Sequence, residues 1–185
     1  MNKKFNLNKT NSLKVECTLN LVEQHTFPNG RSFPSSYTHF VSDYGYGLSM
    51  GLFLIYIPIE SHPDSFFIRS KAIMSTYQNV LDNEDELWFD LGNDLQYSNL
   101  KHLIPFASSE NGHYLFWDIS SHPKENEFDI YITDFRALPF TCIGHDLYQF
   151  FDKVTSSDTY KQVLPFSQKP LPKTFDPFHI VADKD

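Results

Sequence analysis

Between residues 101 and 151, apolar and polar positions alternate in short runs separated by turn formers, the pattern of half-buried strands. Ile104-Pro105-Phe106 enters the polar loop Ser108–Gly112, and Tyr114-Leu115-Phe116-Trp117-Asp118 leaves it after the turn signal Asn111-Gly112. Phe128-Asp129-Ile130-Tyr131-Ile132 alternates again, and Asp134-Phe135-Arg136 turns the chain. Pro139–Ile143 is a further apolar strand. The period then changes: Asp146 opens a helix whose Leu147, Phe150, Phe151 and Val154 share one face.

The first half is less uniform. Thr10-Asn11-Ser12 can cap a helix over roughly 12–25 with Leu13, Cys17, Leu21 and Val22 inward, yet Leu13, Val15, Cys17, Leu19 and Leu21 also alternate as a strand would. Both periods fit. Pro28-Asn29-Gly30 is a turn. Pro34 suits the first turn of a helix lined by Tyr37, Phe40, Val41 and Tyr44. Gly45-Tyr46-Gly47 ends that helix through a left-handed conformation that glycine tolerates. Leu48–Ile59 reads as one central strand, with Leu52, Leu54 and Tyr56 on one face and Phe53, Ile55 and Ile57 on the other, closed by Pro58 and Pro63. Residues 66–81 suit a helix with Ile73, Tyr77, Val80 and Leu81 inward. From 156 to 185 the chain carries Pro165, Pro170, Pro172 and Pro177, which predicts an extended C-terminal tail held on the body (residues 1–155) by Phe166, Phe175 and Phe178.

A chain of 185 residues with 18 Phe and 10 Tyr is long enough for one well-filled core. Its net charge of −8 argues against nucleic acid as a partner and suits either simple solubility or a basic protein partner. The two cysteines, Cys17 and Cys142, lack any paired spacing and fit a reducing compartment. The basic N-terminus is followed by no apolar stretch of the kind a signal peptide needs, and the longest apolar run, near Leu52–Ile59, is too short to span a membrane. A cytoplasmic location with no membrane partner is therefore expected.

Catalytic patterns are sparse. The eight histidines include no pair spaced i, i+4 and no Cys/His knuckle. A hairpin could bring His113, Asp118 and His122 around a metal, but solvated loop histidines are the simpler reading. Cys142 and His145 are close in sequence, yet the apolar run around Cys142 favours a buried, inert thiol. Gly45-Tyr46-Gly47 follows a helix and opens a strand, the wrong context for a phosphate loop. Residues 82–94, DNEDELWFDLGND, place six acids around Leu87-Trp88-Phe89. Either this is a solvated acidic loop pinned by its aromatics, or an apolar centre with an acidic rim, the composition of an interface hot spot. On the second reading Glu84, Asp85, Glu86, Trp88, Asp90 and Asp94 are the partner-binding residues. Neither a cofactor nor a metal is called for, and no enzymatic activity is expected; oligomeric state is not legible.

The order of these segments resembles the SUKH superfamily, which contains fungal cell-wall-synthesis regulators and many bacterial immunity proteins. Phe33-Pro34-Ser35-Ser36-Tyr37-Thr38-His39-Phe40 is similar to the family's LPxxYxxF segment, and Gly45-Tyr46-Gly47 to the glycine turn that follows it. Leu103-Ile104-Pro105-Phe106, Asn111-Gly112 and Phe116-Trp117-Asp118 resemble its central strands, and Asp146–Phe151 its closing helix. Ala107 stands where the family usually has Gly, and His113 where it often has Asp. The resemblance covers about residues 10–155. It implies an α+β domain, a mainly antiparallel sheet flanked by helices, and a non-enzymatic binder that neutralises a cognate toxin, often a nuclease. A regulatory or scaffold module without a toxin partner is the alternative, and a hydrolase is a third.

Overall fold

The computed structural model describes residues 4–12, 19–82, 91–134 and 139–180, excluding the side chains of 77–81. Its frame is one eight-stranded sheet built from β1 (Asn8–Lys9), β2 (Gly47–Ser49), β3 (Phe53–Ile55), β4 (Leu103–Ser109), β5 (Tyr114–Asp118), β6 (Asp129–Thr133), β7 (Thr141–Gly144) and β8 (Thr174–Pro177). The spatial order is β1-β8-β2-β3-β4-β5-β6-β7. Every pairing is antiparallel except β1 with β8. The helices are α1 (Leu19–Gln24), α2 (Ser35–Asp43), α3 (Phe66–Asp82), α4 (Leu147–Thr155) and α5 (Tyr160–Val163), with a 3-10 turn over Tyr97–His102. The architecture is α+β with a mostly antiparallel sheet, the fold class that the family resemblance implied. No helix among the described residues is long and apolar enough to cross a membrane.

The meander β4-β5-β6-β7 and α4 follow the sequence periods closely. Leu147, Phe150, Phe151 and Val154 are all buried, and the Asp146 carboxylate accepts the Gln149 N–H as an N-cap. On β5, both Phe116 and Trp117 are 1% exposed, so both faces of this strand are covered. Trp117 stacks flat on Phe106 at 4.1 Å and meets Tyr37 edge-on at 5.0 Å, which joins the sheet to α2.

One expectation fails. Leu48–Ile59 is not a single strand: β2 and β3 form a tight hairpin, with Leu52 N donating to Ser49 O across the turn. Met50 (φ 56°) and Gly51 (φ 64°), the central residues of the Ser49–Leu52 turn, both lie in the left-handed region, the one the central residues of a type I′ turn occupy. Methionine is an uncommon residue there, so the turn left little trace in the pattern. At 13–18, where helix and strand both fit, the sequence lies outside the described residues; 19–24 is helical.

The proline-rich C-terminal segment does more than lie on the body. Its β8 is seated inside the sheet between β1 and β2, and Phe175 is buried against Phe40 and Tyr44. Phe166 stacks on the buried His113 ring at 4.8 Å, and Phe178 meets Tyr46 at 5.4 Å.

A buried polar junction fixes the helices to one another. Glu127, 7% exposed, accepts from both Ser36 N–H (2.8 Å) and Ser36 Oγ (2.7 Å) at the first turn of α2. Ser36 Oγ in turn accepts the Leu147 N–H at the first turn of α4 (3.0 Å). Arg31 donates to the carbonyls of Glu127 and Ser121, with its guanidinium 4.0 Å above the Phe128 ring. Burial raises the Glu127 carboxyl above the ordinary glutamate range; the Ser36 bonds oppose this and the nearby Asp146 charge adds to it.

Two predictions follow from these contacts. Gly45 (φ 72°) needs a left-handed conformation, whereas Gly47 is needed for space: a Cβ there would collide with the Asp176 carbonyl oxygen and lie 2.9 Å from Pro177 Cα. Gly45→Ala should cost about 1–2 kcal/mol through its backbone conformation, and Gly47→Ala about 1–3 kcal/mol by pushing β8 away, both read from urea unfolding. For Glu127, a folded-state value above the unfolded one means that the native state binds more protons through that window. The side chain's contribution is therefore fullest below the unfolded range and is lost as pH rises through the folded value. The stability of wild type relative to Glu127→Gln should fall with rising pH above the ordinary glutamate range, measured as denaturation midpoints across pH.

Candidate functional site

The structure places the sequence-derived partner residues unevenly. Glu84, Asp85, Glu86, Trp88 and Asp90 lie outside the described residues. Asp94 is exposed, but it is also engaged in the fold. Its Oδ2 accepts the Cys142 N–H of the edge strand β7 at 3.0 Å, and its carbonyl accepts from Tyr131 Oη at 3.3 Å. Gly92 (φ 73°) brings this loop close to Pro139, so residues 91–94 run along the outer edge of β7.

The helix that leads into the acidic segment exposes two large apolar side chains at its N-terminal end. α3 begins with Phe66-Phe67-Ile68: Phe66 turns inward, while Phe67 (39%) and Ile68 (49%) are exposed. Beside them lies a cleft of about 220 Å³ lined by His25, Phe27, Pro28, Phe66, Phe67 and Met74. His25 sits at its rim, 5.2 Å from the Phe67 ring, and burial lowers its tendency to protonate. The cleft is smaller than the roughly 300–1,000 Å³ typical of small-molecule sites. It suits one apolar side chain of a partner. A second concavity, a groove of about 490 Å³, is lined by Lys4, Lys124, Tyr148, Gln149, Asp152 and Lys153. Its walls are charged and polar, and its Lys124 is already paired with Asp146 at 2.6 Å.

The histidine expectations separate. His113, Asp118 and His122 are not assembled into a site. His113 is 2% exposed, against the expectation of a solvated loop residue: Ser109 Oγ accepts its N–H at 3.0 Å and lies 2.8 Å from its Nδ1. Asp118 Oδ1 accepts from Ser120 N–H and Oγ, closing a turn. His122 is exposed.

Cys142, expected to be a buried and inert thiol, is partly buried, packed against the edge of the core. Its strand neighbour in β6 is Tyr131, so the alternation of side chains puts Asp129, Tyr131 and Cys142 on one face of the sheet. The strand register shifts between Ile130 and Tyr131, and His145 follows the end of β7. The result is a cluster in which ligating atoms of Asp129, Cys142 and His145 all lie within 4.8 Å of one another. His145 Nδ1 is 2.5 Å from Asp129 Oδ1, and the His145 N–H donates to Gln149 Oε1 at 2.9 Å. Burial pushes the Cys142 thiol up, and the Asp129 and Asp94 charges push the same way against Lys153 and a weak bond to Gly144 O. A catalytic cysteine needs the opposite environment, one that stabilises thiolate. The sequence showed Cys142 and His145 together but not Asp129, because the third member comes from strand register, which no local pattern encodes.

The sequence matches no protein-family model, and no curated protein and no solved structure matches it either. The SUKH resemblance therefore rests on the motifs alone.

Proposed function

We propose that this protein is a non-enzymatic protein-binding module, an immunity protein of SUKH type that neutralises a basic cognate toxin such as a nuclease. The observation that carries this reading is the N-terminal end of α3, where exposed Phe67 lines a cleft sized for one side chain and Ile68 is exposed next to it, on the helix that runs into the acidic 82–94 segment. Exposed apolar side chains and a cleft that can take one of the partner's are what an interface anchor needs, and the acidic segment at the other end of the helix supplies charge for encounter. The net charge of −8 speeds encounter with a basic partner and disfavours acidic ones. The motif order supports the same reading: Phe33–Phe40 enters and opens α2, Gly45-Tyr46-Gly47 links it to β2, and Asp146–Phe151 opens α4.

The test uses the protein product of the neighbouring open reading frame. The two should co-purify, and co-expression should relieve that product's toxicity. Phe67→Asp should leave the melting temperature near wild type and weaken binding by about 2 kcal/mol or more, as for an interface anchor. Glu84→Lys with Asp85→Lys and Glu86→Lys should slow association at low salt, and the difference from wild type should shrink as salt rises, because exposed charges are screened within about 10 Å at 0.1 M. Surface binding kinetics at two salt concentrations read both effects. Unchanged binding in both variants removes α3 and the acidic segment from the interface, and a neighbouring product that neither binds nor poisons the cell overturns the immunity reading.

A further inference from the structure

We propose that Asp129, Cys142 and His145 form a binding site for a transition-metal ion of the zinc type, on the sheet face where β6 pairs with β7. This goes beyond the expectation from sequence, which called for no metal, and it is independent of the partner-binding reading.

Three observations carry it. The first is convergence: the ligating atoms lie within 4.8 Å of one another, although Asp129 stands on a different strand from Cys142. The second is the donor set. Thiolate, imidazole and carboxylate are the three side-chain donors zinc uses, and the sulfur selects it over magnesium and calcium. The third is access combined with support. The His145 and Asp129 side chains are 48% and 22% exposed, so an ion can reach them from solvent. The backbone behind them is held by Asp94 Oδ2, which accepts the Cys142 N–H, and by Gln149 Oε1, which accepts the His145 N–H.

The present geometry is close to what coordination requires. Zinc bonds of about 2.0–2.3 Å in a tetrahedron set neighbouring ligands about 3.3–3.7 Å apart. The 2.5 Å contact between His145 Nδ1 and Asp129 Oδ1 would open to that spacing; the proton between them leaves Nδ1, the neutral ring keeps its N–H on Nε2, and one hydrogen bond is exchanged for two coordinate bonds. Cys142 gives up its thiol proton to solvent on coordination. Three protein ligands leave the fourth position to water. The negative charge of Asp129, Asp94 and the thiolate favours a dication, with Lys153 as the opposing charge near the sulfur.

The experiment titrates the full-length protein, stripped with chelator, with cobalt(II) chloride and then zinc chloride. Cobalt should bind one to one with a sulfur-to-cobalt charge-transfer band, and zinc should displace it. Cys142→Ser should abolish the band. His145→Gln and Asp129→Asn should each weaken binding at least about 10–100-fold, the loss that even an outer-shell partner produces. Cys17→Ser should leave the band intact. Thermal melts establish that each variant folds; because His145 is exposed, His145→Gln decides the matter if Cys142→Ser does not fold. No charge-transfer band at saturating cobalt, a band that survives Cys142→Ser, one lost in Cys17→Ser, or undiminished binding by folded His145→Gln overturns the site.

Discussion

The Glu127 carboxylate is the constraint on which the arrangement of helices depends. It enters from the loop before β6 and accepts two hydrogen bonds from Ser36, whose hydroxyl then accepts from Leu147 N–H. Three segments distant in sequence meet through five atoms. Each backbone N–H involved belongs to the first turn of a helix, where no partner exists within the helix itself. Left buried and unmade, such groups cost about 1–3 kcal/mol each. Glu127 and Ser36 thus satisfy helix ends that the apolar core could not, and they do so only when α2, α4 and the loop are all in place. A buried acid is costly in its charged form: burial raises the Glu127 carboxyl, and the two Ser36 bonds at the start of α2 offset only part of that cost.

The meander β4-β5-β6-β7 with α4 was legible because its signals are local: Asn111-Gly112 marks a turn, β6 alternates, and Asp146 caps a helix. Glu127 was not legible as a junction, since its partners lie 91 residues away. The β2–β3 hairpin was hidden by Met50, which occupies a left-handed position usually held by Gly, Asn or Asp. β8 was hidden by its composition. Pro165, Pro170 and Pro172 ahead of Thr174–Pro177 read as an extended linker, but a short strand that follows them and has Pro177 at its end is compatible with them.

The candidate sites show the same division. The acidic segment stood out in the sequence because charge density is a local property. The exposed apolar end of α3 was missed: Phe66-Phe67-Ile68 is one continuous apolar run, and only the inward packing of Phe66 shows which of its members stay outside. Asp129 needed the β6–β7 register. In each case the sequence supplied the residue types and tertiary contact supplied the company they keep.

The position of β8 has a consequence for how the molecule is made. β2 pairs with β3 on one side and β8 on the other, and β1 pairs only with β8 among the strands. During synthesis Asn8–Lys9 therefore has no strand to join until some 160 residues later, when Thr174–Pro177 emerges. Until then the hairpin β2–β3 presents an open edge, the kind of surface on which other chains can add. The meander can assemble from near neighbours, but the far end of the sheet waits on contacts of very long sequence separation, which carry the largest loop-closure cost and form slowly. The glycine at position 47 lies at that late seam, where the last strand must slide in against bare backbone.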